Sequence, residues 1–127
     1  MMNYIKLLFF TLLLMGCAHK TSETTIDDSL ALVFINNGSI QCESQGLSQT
    51  ETAQALINKD IDVVSSKCAY LTGIAAPAQC GLPGTLINLH VINAQNVPDA
   101  KDIGFKLAST LRLDNTKGYE IMKCQDR

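Results

Sequence analysis

Tryptophan is absent from this 127-residue chain, and aromatic residues make up only 6% of it. Beyond the N-terminal stretch the aromatics are Phe34, Tyr70, Phe105 and Tyr119, so bulky side chains contribute little to any core. A strong basic face is also missing. Twelve acidic residues outnumber ten basic ones, which disfavours nucleic-acid binding, because phosphate neutralisation needs clustered positive charge. No CxxC occurs among the five cysteines. Zinc sites use paired close spacings, and thioredoxin-type exchange needs two neighbouring sulfurs, so both are disfavoured. There is no GxSxG elbow to point to an activated serine. Past the N-terminus no apolar run approaches the roughly 20 residues of a membrane-spanning helix.

What is present is concentrated first at the N-terminus. Met1 to Lys6 carries one positive charge, and Leu7 to Met15 is apolar apart from Thr11. At about 1.5 Å per residue this run reaches roughly 14 Å as a helix, half of a bilayer core of about 30 Å. It matches the hydrophobic region of an export signal instead. The chain after it is therefore expected outside the inner membrane.

Leu14, Met15, Gly16 and Cys17 follow that apolar run directly. This stretch resembles the lipobox of bacterial lipoproteins: an aliphatic residue, a tolerant position, Gly or Ala, then the cysteine. Met15 is bulkier than the residues usual at its position. The resemblance covers residues 1–17 only. It implies cleavage between Gly16 and Cys17 of a signal peptide spanning 1–16, diacylglyceryl transfer to the Cys17 sulfur, and N-acylation of the new terminus. The membrane would then be a partner through lipid on Cys17, each buried methylene contributing about 0.8 kcal/mol. Ala18 is not the aspartate that retains such proteins in the inner membrane, so the expected address is the outer membrane, facing the periplasm. An ordinary secretory peptide cleaved near Gly16 or Ala18 is the alternative.

With Cys17 lipidated, Cys42, Cys68, Cys80 and Cys124 remain. Four cysteines in a small exported domain predict two disulfides. Cys68 with Cys80, closing a Gly/Pro loop, and Cys42 with Cys124 is the favoured arrangement; the two other pairings stay open.

Residues 17–28 read as the lipidated cysteine and a polar, flexible tether. Residues 29–127 have the size of one domain. Leu30 to Ile35 is a continuous apolar run of strand formers, predicting a central strand covered on both faces. Asn37-Gly38 offers a hairpin into Ser39 to Cys42, or a bulge. Ser48 and Glu51 form a capping box, and Ala53, Leu56 and Ile57 line one face of a helix ending near Lys59. Asp62 to Cys68 predicts a short strand, and Leu86 to Asn93 a second, with Ile87, Leu89 and Val91 facing the core and Asn88 and His90 the other side. Pro98 suits the first turn of a helix that Gly104 stops. The alternation from Phe105 to Leu113 predicts a strand, with a helix running to Thr110 as the alternative. Asp114 to Gly118 is a turn, and Tyr119 to Cys124 the last strand of a hairpin. The expected fold class is α+β: a small mixed sheet with about two helices, stabilised by disulfides. A right-handed first crossover would place Cys42 and Cys68 near the C-terminal ends of parallel strands.

Candidate chemistry is sparse. His90, Glu43, Asp60, Asp62, Ser65 and Ser66 are the polar residues of interest, and each fits a strand, turn or packing role at least as well as a catalytic one. No catalytic residue, cofactor or metal is expected. The loop from Tyr70 to Gly84 is long, apolar and pinned by cysteine, so Tyr70, Leu71, Ile74 and Leu82 form a possible contact surface for an envelope protein. Their other role would be to cover an open face of the core. The functional expectation is a membrane-anchored envelope lipoprotein acting as a small interaction or accessory module rather than an enzyme. The alternative is an envelope enzyme or thiol-active protein using His90 or an exposed cysteine.

Overall fold

The apolar run after Ser29 becomes strand β1 (Leu30–Asn36), whose consecutive residues Val33 and Phe34 are both buried, one on each face of the sheet. A computed structural model describes residues 28–125. The leader, Gly16, Cys17 and the tether as far as Asp27 lie outside the described residues. Helix α1 (Gln49–Ile57) follows, then β2 (Val63–Leu71), β3 (Leu86–Asn93), α2 (Val97–Asp102), the two-residue β4 (Lys106–Leu107) and β5 (Tyr119–Met122). The class is α+β with two helices and two disulfides. Among the described residues no helix is long and apolar enough to cross a membrane.

The sheet order is β4-β1-β3-β2-β5, and every ladder is antiparallel. β1 and β2 do run in the same direction, as a crossover through α1 requires, yet β3 lies between them. No parallel ladder forms, because β3 has two free edges to offer and antiparallel pairing on both sides satisfies each.

Local signals behave as their chemistry dictates. Ser48 caps α1: its Oγ accepts from the Glu51 amide at 3.2 Å, and the Glu51 carboxylate accepts from the Ser48 amide at 2.7 Å. That box fixes the helix start and turns Leu56 into the core, while Ile57 stays exposed and Thr52, not Ala53, is the second buried position. Pro98 lies in the first turn of α2, and Gly104 at φ +96° ends the helical segment.

Three expectations are corrected. Asn37-Gly38 leads into no second strand; residues 40–44 close a tight turn through the Ser44 amide donating to the Ile40 carbonyl. The Phe105–Leu113 strand is only two residues long, since β1 pairs with it at Val33 and Phe34 alone. The chain then winds into a 3-10 turn over Ala108–Leu111, which carries Ala108 and Leu111 onto the sheet face away from the helices. β5 is no hairpin partner of that segment and pairs with β2.

Two small cores result. One, between sheet and helices, contains Val33, Leu56, Ile61, Ile92, Ala100 and Phe105. The other contains Phe34, Ala69, Ile87, Leu89 and Ala108 on the opposite face. Alternation along β3 is as expected, but the side bearing Asn88 and His90 is the helix-covered one, and both residues are buried.

The disulfides join Cys42 to Cys80 and Cys68 to Cys124, which replaces the pairing favoured from loop length. The reason is backbone pairing. Gln41 donates to the Leu82 carbonyl, Gly81 to the Gln41 carbonyl and Gly84 to the Ser39 carbonyl, so the 79–84 segment lies against the 39–42 turn. Cys68 sits in β2 opposite Met122 of β5, and the chain leaving β5 brings Cys124 alongside. The chain-entropy treatment gives about 4 kcal/mol of stabilisation for each bridge, at sequence separations of 38 and 56.

Candidate functional site

His90 is the only described histidine and is fully buried, with 0% exposure. Both ring nitrogens are engaged by hydroxyls: Nδ1 lies 2.7 Å from Ser66 Oγ and Nε2 lies 2.9 Å from Thr52 Oγ1. Thr52 Oγ1 is also 3.1 Å from the Gln49 carbonyl and 3.3 Å from the Ser48 carbonyl. A hydroxyl has one proton, and in a helix it is donated back to the preceding turn. That donor count assigns the proton of neutral His90 to Nε2, donating to Thr52, and leaves Nδ1 to accept from Ser66.

The cross-strand register makes this arrangement. Ser66 of β2 stands directly opposite His90 of β3, and Val33 of β1 opposes it on the other side. Phe105 packs edge-on to the ring at a centroid distance of 5.8 Å. Desolvation in these surroundings lowers the His90 pKa from 6.5 to about 4. A serine hydroxyl on a neutral imidazole has the outline of a nucleophile and base, but a base so weak draws a proton poorly at neutral pH. The five main concavities among the described residues do not have His90 in their lining. The chemistry suits a polar link joining α1, β2 and β3 better than a proton shuttle. Its partners, Thr52 and Ser66, carry no local sequence signal that could reveal them, because residues 38 and 24 positions from His90 meet only through register.

The expected contact loop divides. Tyr70 and Leu71 belong to β2, Leu71 packing on the second core. Tyr70 Oη donates to the carboxylate of Glu120, directly opposite on β5, and this bond raises the phenol pKa above its ordinary value. Ile74 is 51% exposed and Leu82 half-buried. The segment between them is held from one side by Gln41. Its side-chain amide donates to the Pro77 carbonyl at 3.1 Å, and its Oε1 accepts from the Gln79 amide at 3.3 Å. With the exposed Cys42–Cys80 bridge, these contacts fix a loop whose tip faces solvent. Asp60, at φ +58°, and Asp62 occupy the helix-to-strand corner, and Glu43 and Ser65 are exposed. They are not brought together with His90.

Two concavities were not foreseen. One, of about 420 Å³, lies between the start of α1 and the Cys68–Cys124 bridge, with Asn37, Asn88 and Gln49 on its walls. The other, of about 620 Å³, is on the sheet face away from the helices, floored by Leu32, Leu89 and Val91. Among the described residues, no group of three or more His, Cys, Asp or Glu side chains is placed to hold a metal ion. Compared with protein-family models, curated proteins and solved structures, the chain matches none.

Proposed function

We propose that the chain is a lipid-anchored bacterial envelope protein, exported by its N-terminal signal, acylated on Cys17 and held on the periplasmic side of the outer membrane. There it acts as an interaction or accessory module, using its disulfide-pinned loop to contact another envelope protein. One observation carries the reading. The two bridges consume Cys42, Cys68, Cys80 and Cys124, leaving the lipobox cysteine as the fifth of five. That division is what an oxidising compartment and a separately modified Cys17 require. The loop supports the interaction role because a segment ordered before binding loses less entropy on docking.

Mass spectrometry of the membrane-extracted protein, intact and digested without reduction, tests the anchor. The expected result is an acyl mass on an N-terminal Cys17 together with both bridges; an unlipidated Cys17 still attached to Gly16 refutes it. Ile74→Asp tests the loop, since an exposed position tolerates the charge without unfolding. Unchanged partner recovery from envelope extracts would remove the loop as contact surface.

A further inference from the structure

The sheet face opposite the helices is only partly covered. The 3-10 turn packs Ala108 and Leu111 over Phe34, Ala69, Ile87 and Leu89, and stops there. The uncovered part is the 620 Å³ groove. Leu32 and Val91 remain half-buried on its floor, and Ile121 of edge strand β5 is 53% exposed at its wall.

Its charge is unlike that of the chain as a whole. Acidic residues are in excess overall, whereas this groove is lined by two exposed lysines, Lys67 of β2 and Lys117, with Glu120 as its one carboxylate. Neither is paired with a carboxylate among the described residues. That carboxylate is engaged elsewhere: strand alternation directs the Glu120 side chain towards Tyr70, directly opposite on β2, from which it accepts a hydrogen bond. Lys117 is held in place by its neighbour Gly118, whose carbonyl accepts from the Thr72 amide at 3.0 Å. A second concavity, reaching Thr72 and Gly73 at the base of the pinned loop, shares Lys117, Tyr119 and Glu120 with the first and adds Asp114 at its far side. The apolar floor, the two cations and the loop base are therefore one continuous surface.

We propose that this groove docks a protein segment in which carboxylates alternate with leucine- or isoleucine-like side chains, the carboxylates meeting Lys67 and Lys117 and the apolar groups covering Leu32, Val91 and Ile121. The proposal rests on the interaction-module reading and adds the chemistry of the partner. A concave floor with cations at its borders fits an extended acidic segment; a lipid surface would call for a protruding apolar face beneath the lysines.

The test uses the full-length lipidated protein in zwitterionic nanodiscs, with its Leu, Ile and Val methyl groups labelled for NMR. The probes are a short blocked peptide alternating aspartate with leucine, its lysine counterpart, and nanodiscs of anionic lipid. The acidic peptide is expected to shift the Leu32, Val91 and Ile121 signals, to lose affinity at least tenfold in the Lys67→Glu, Lys117→Glu double variant, and to weaken with added salt. Both substitutions are at exposed positions, so the variant folds. Equal binding of acidic and lysine peptides, an unaffected double variant, or no shift at these methyl groups overturns the proposal. Shifts produced only by anionic nanodiscs overturn it in favour of a membrane face. The Cys17 acyl mass is read on the same sample, so failure of the groove is distinguishable from failure of the anchor.

Discussion

Lowering the pH from 7.5 to 5 should destabilise the domain through one residue, His90. The imidazole has a pKa of about 4 when folded, against 6.5 as the ordinary value. Because the folded value is the lower, the unfolded chain binds the proton more tightly. The stabilisation is complete above pH 6.5 and is lost as pH falls through 6.5 towards 4. At about 1.36 kcal/mol per pKa unit the whole effect is roughly 3 kcal/mol, of which about 2 kcal/mol is lost by pH 5. The comparison is made differentially, so that every group other than residue 90 cancels. Urea titrations of the wild type and of His90→Gln at pH 7.5, 6 and 5 share every carboxylate and differ only at residue 90. Glutamine removes the ring from Phe105 and is less stable at pH 7.5. Its deficit should shrink by about 2 kcal/mol at pH 5, equivalent to about 1 M or more in urea midpoint. A constant deficit across this range, or a His90 ring titrating near 6.5 by NMR, would refute the reasoning.

Three further outcomes follow from particular contacts. Ser48→Ala removes the acceptor of the Glu51 amide and should cost about 1 kcal/mol, read as a lower thermal midpoint with a helix that frays first at its N-terminus. Gly118→Ala would place a Cβ 1.7 Å from the Leu111 carbonyl oxygen at a residue with φ +77°; a loss above about 2 kcal/mol in denaturant titration is expected, and wild-type stability would contradict the geometry. Under limiting dithiothreitol, alkylation should appear at Cys42 and Cys80, both exposed, before the half-buried Cys68 and Cys124; simultaneous labelling of all four would mean that access does not set the order.

What the sequence discloses here divides along the range of the interaction. The capping box, the Gly104 stop and the alternation of Ile87 to Ile92 are local, and each is legible because one turn or one strand carries the whole physical requirement. The 105–113 segment defeats such reading. Its period-two pattern is genuine, but a strand persists only where a neighbour supplies partners, and β1 offers only Val33 and Phe34 before β4 ends. The next demand comes from Phe34 on the far face, which needs covering. A 3-10 turn meets it by bringing Ala108 and Leu111, three apart, to one side. Disulfide pairing fails to be legible for the same reason. Loop closure favours near cysteines in the unfolded chain, whereas the native pairs are chosen by which segments share hydrogen bonds. Cys80 follows the 79–84 segment onto the 39–42 turn, and Cys124 follows β5 onto β2.

The candidate site is less legible still, because its parts are ordinary residues made unusual by where the sheet puts them. Lys67 and Lys117 look like any solvated lysines in a chain with ten basic residues. They acquire meaning only when β5 pairs with β2 and sets Ile121 opposite Ala69 and Tyr119 opposite Leu71 on the face that carries Lys67, and when the Glu120 side chain is turned to Tyr70. Inverting that one alternation would place a carboxylate in the groove and cancel its charge. Cys68–Cys124 ties β5 to β2 just past the last paired residue, at the edge where only four cross-strand pairs hold the strand in place. A one-residue slip of so short an edge strand would exchange the two faces. The bridge therefore protects more than stability: it holds the register on which the groove's charge depends, and reducing it should weaken acidic-peptide binding before the domain unfolds.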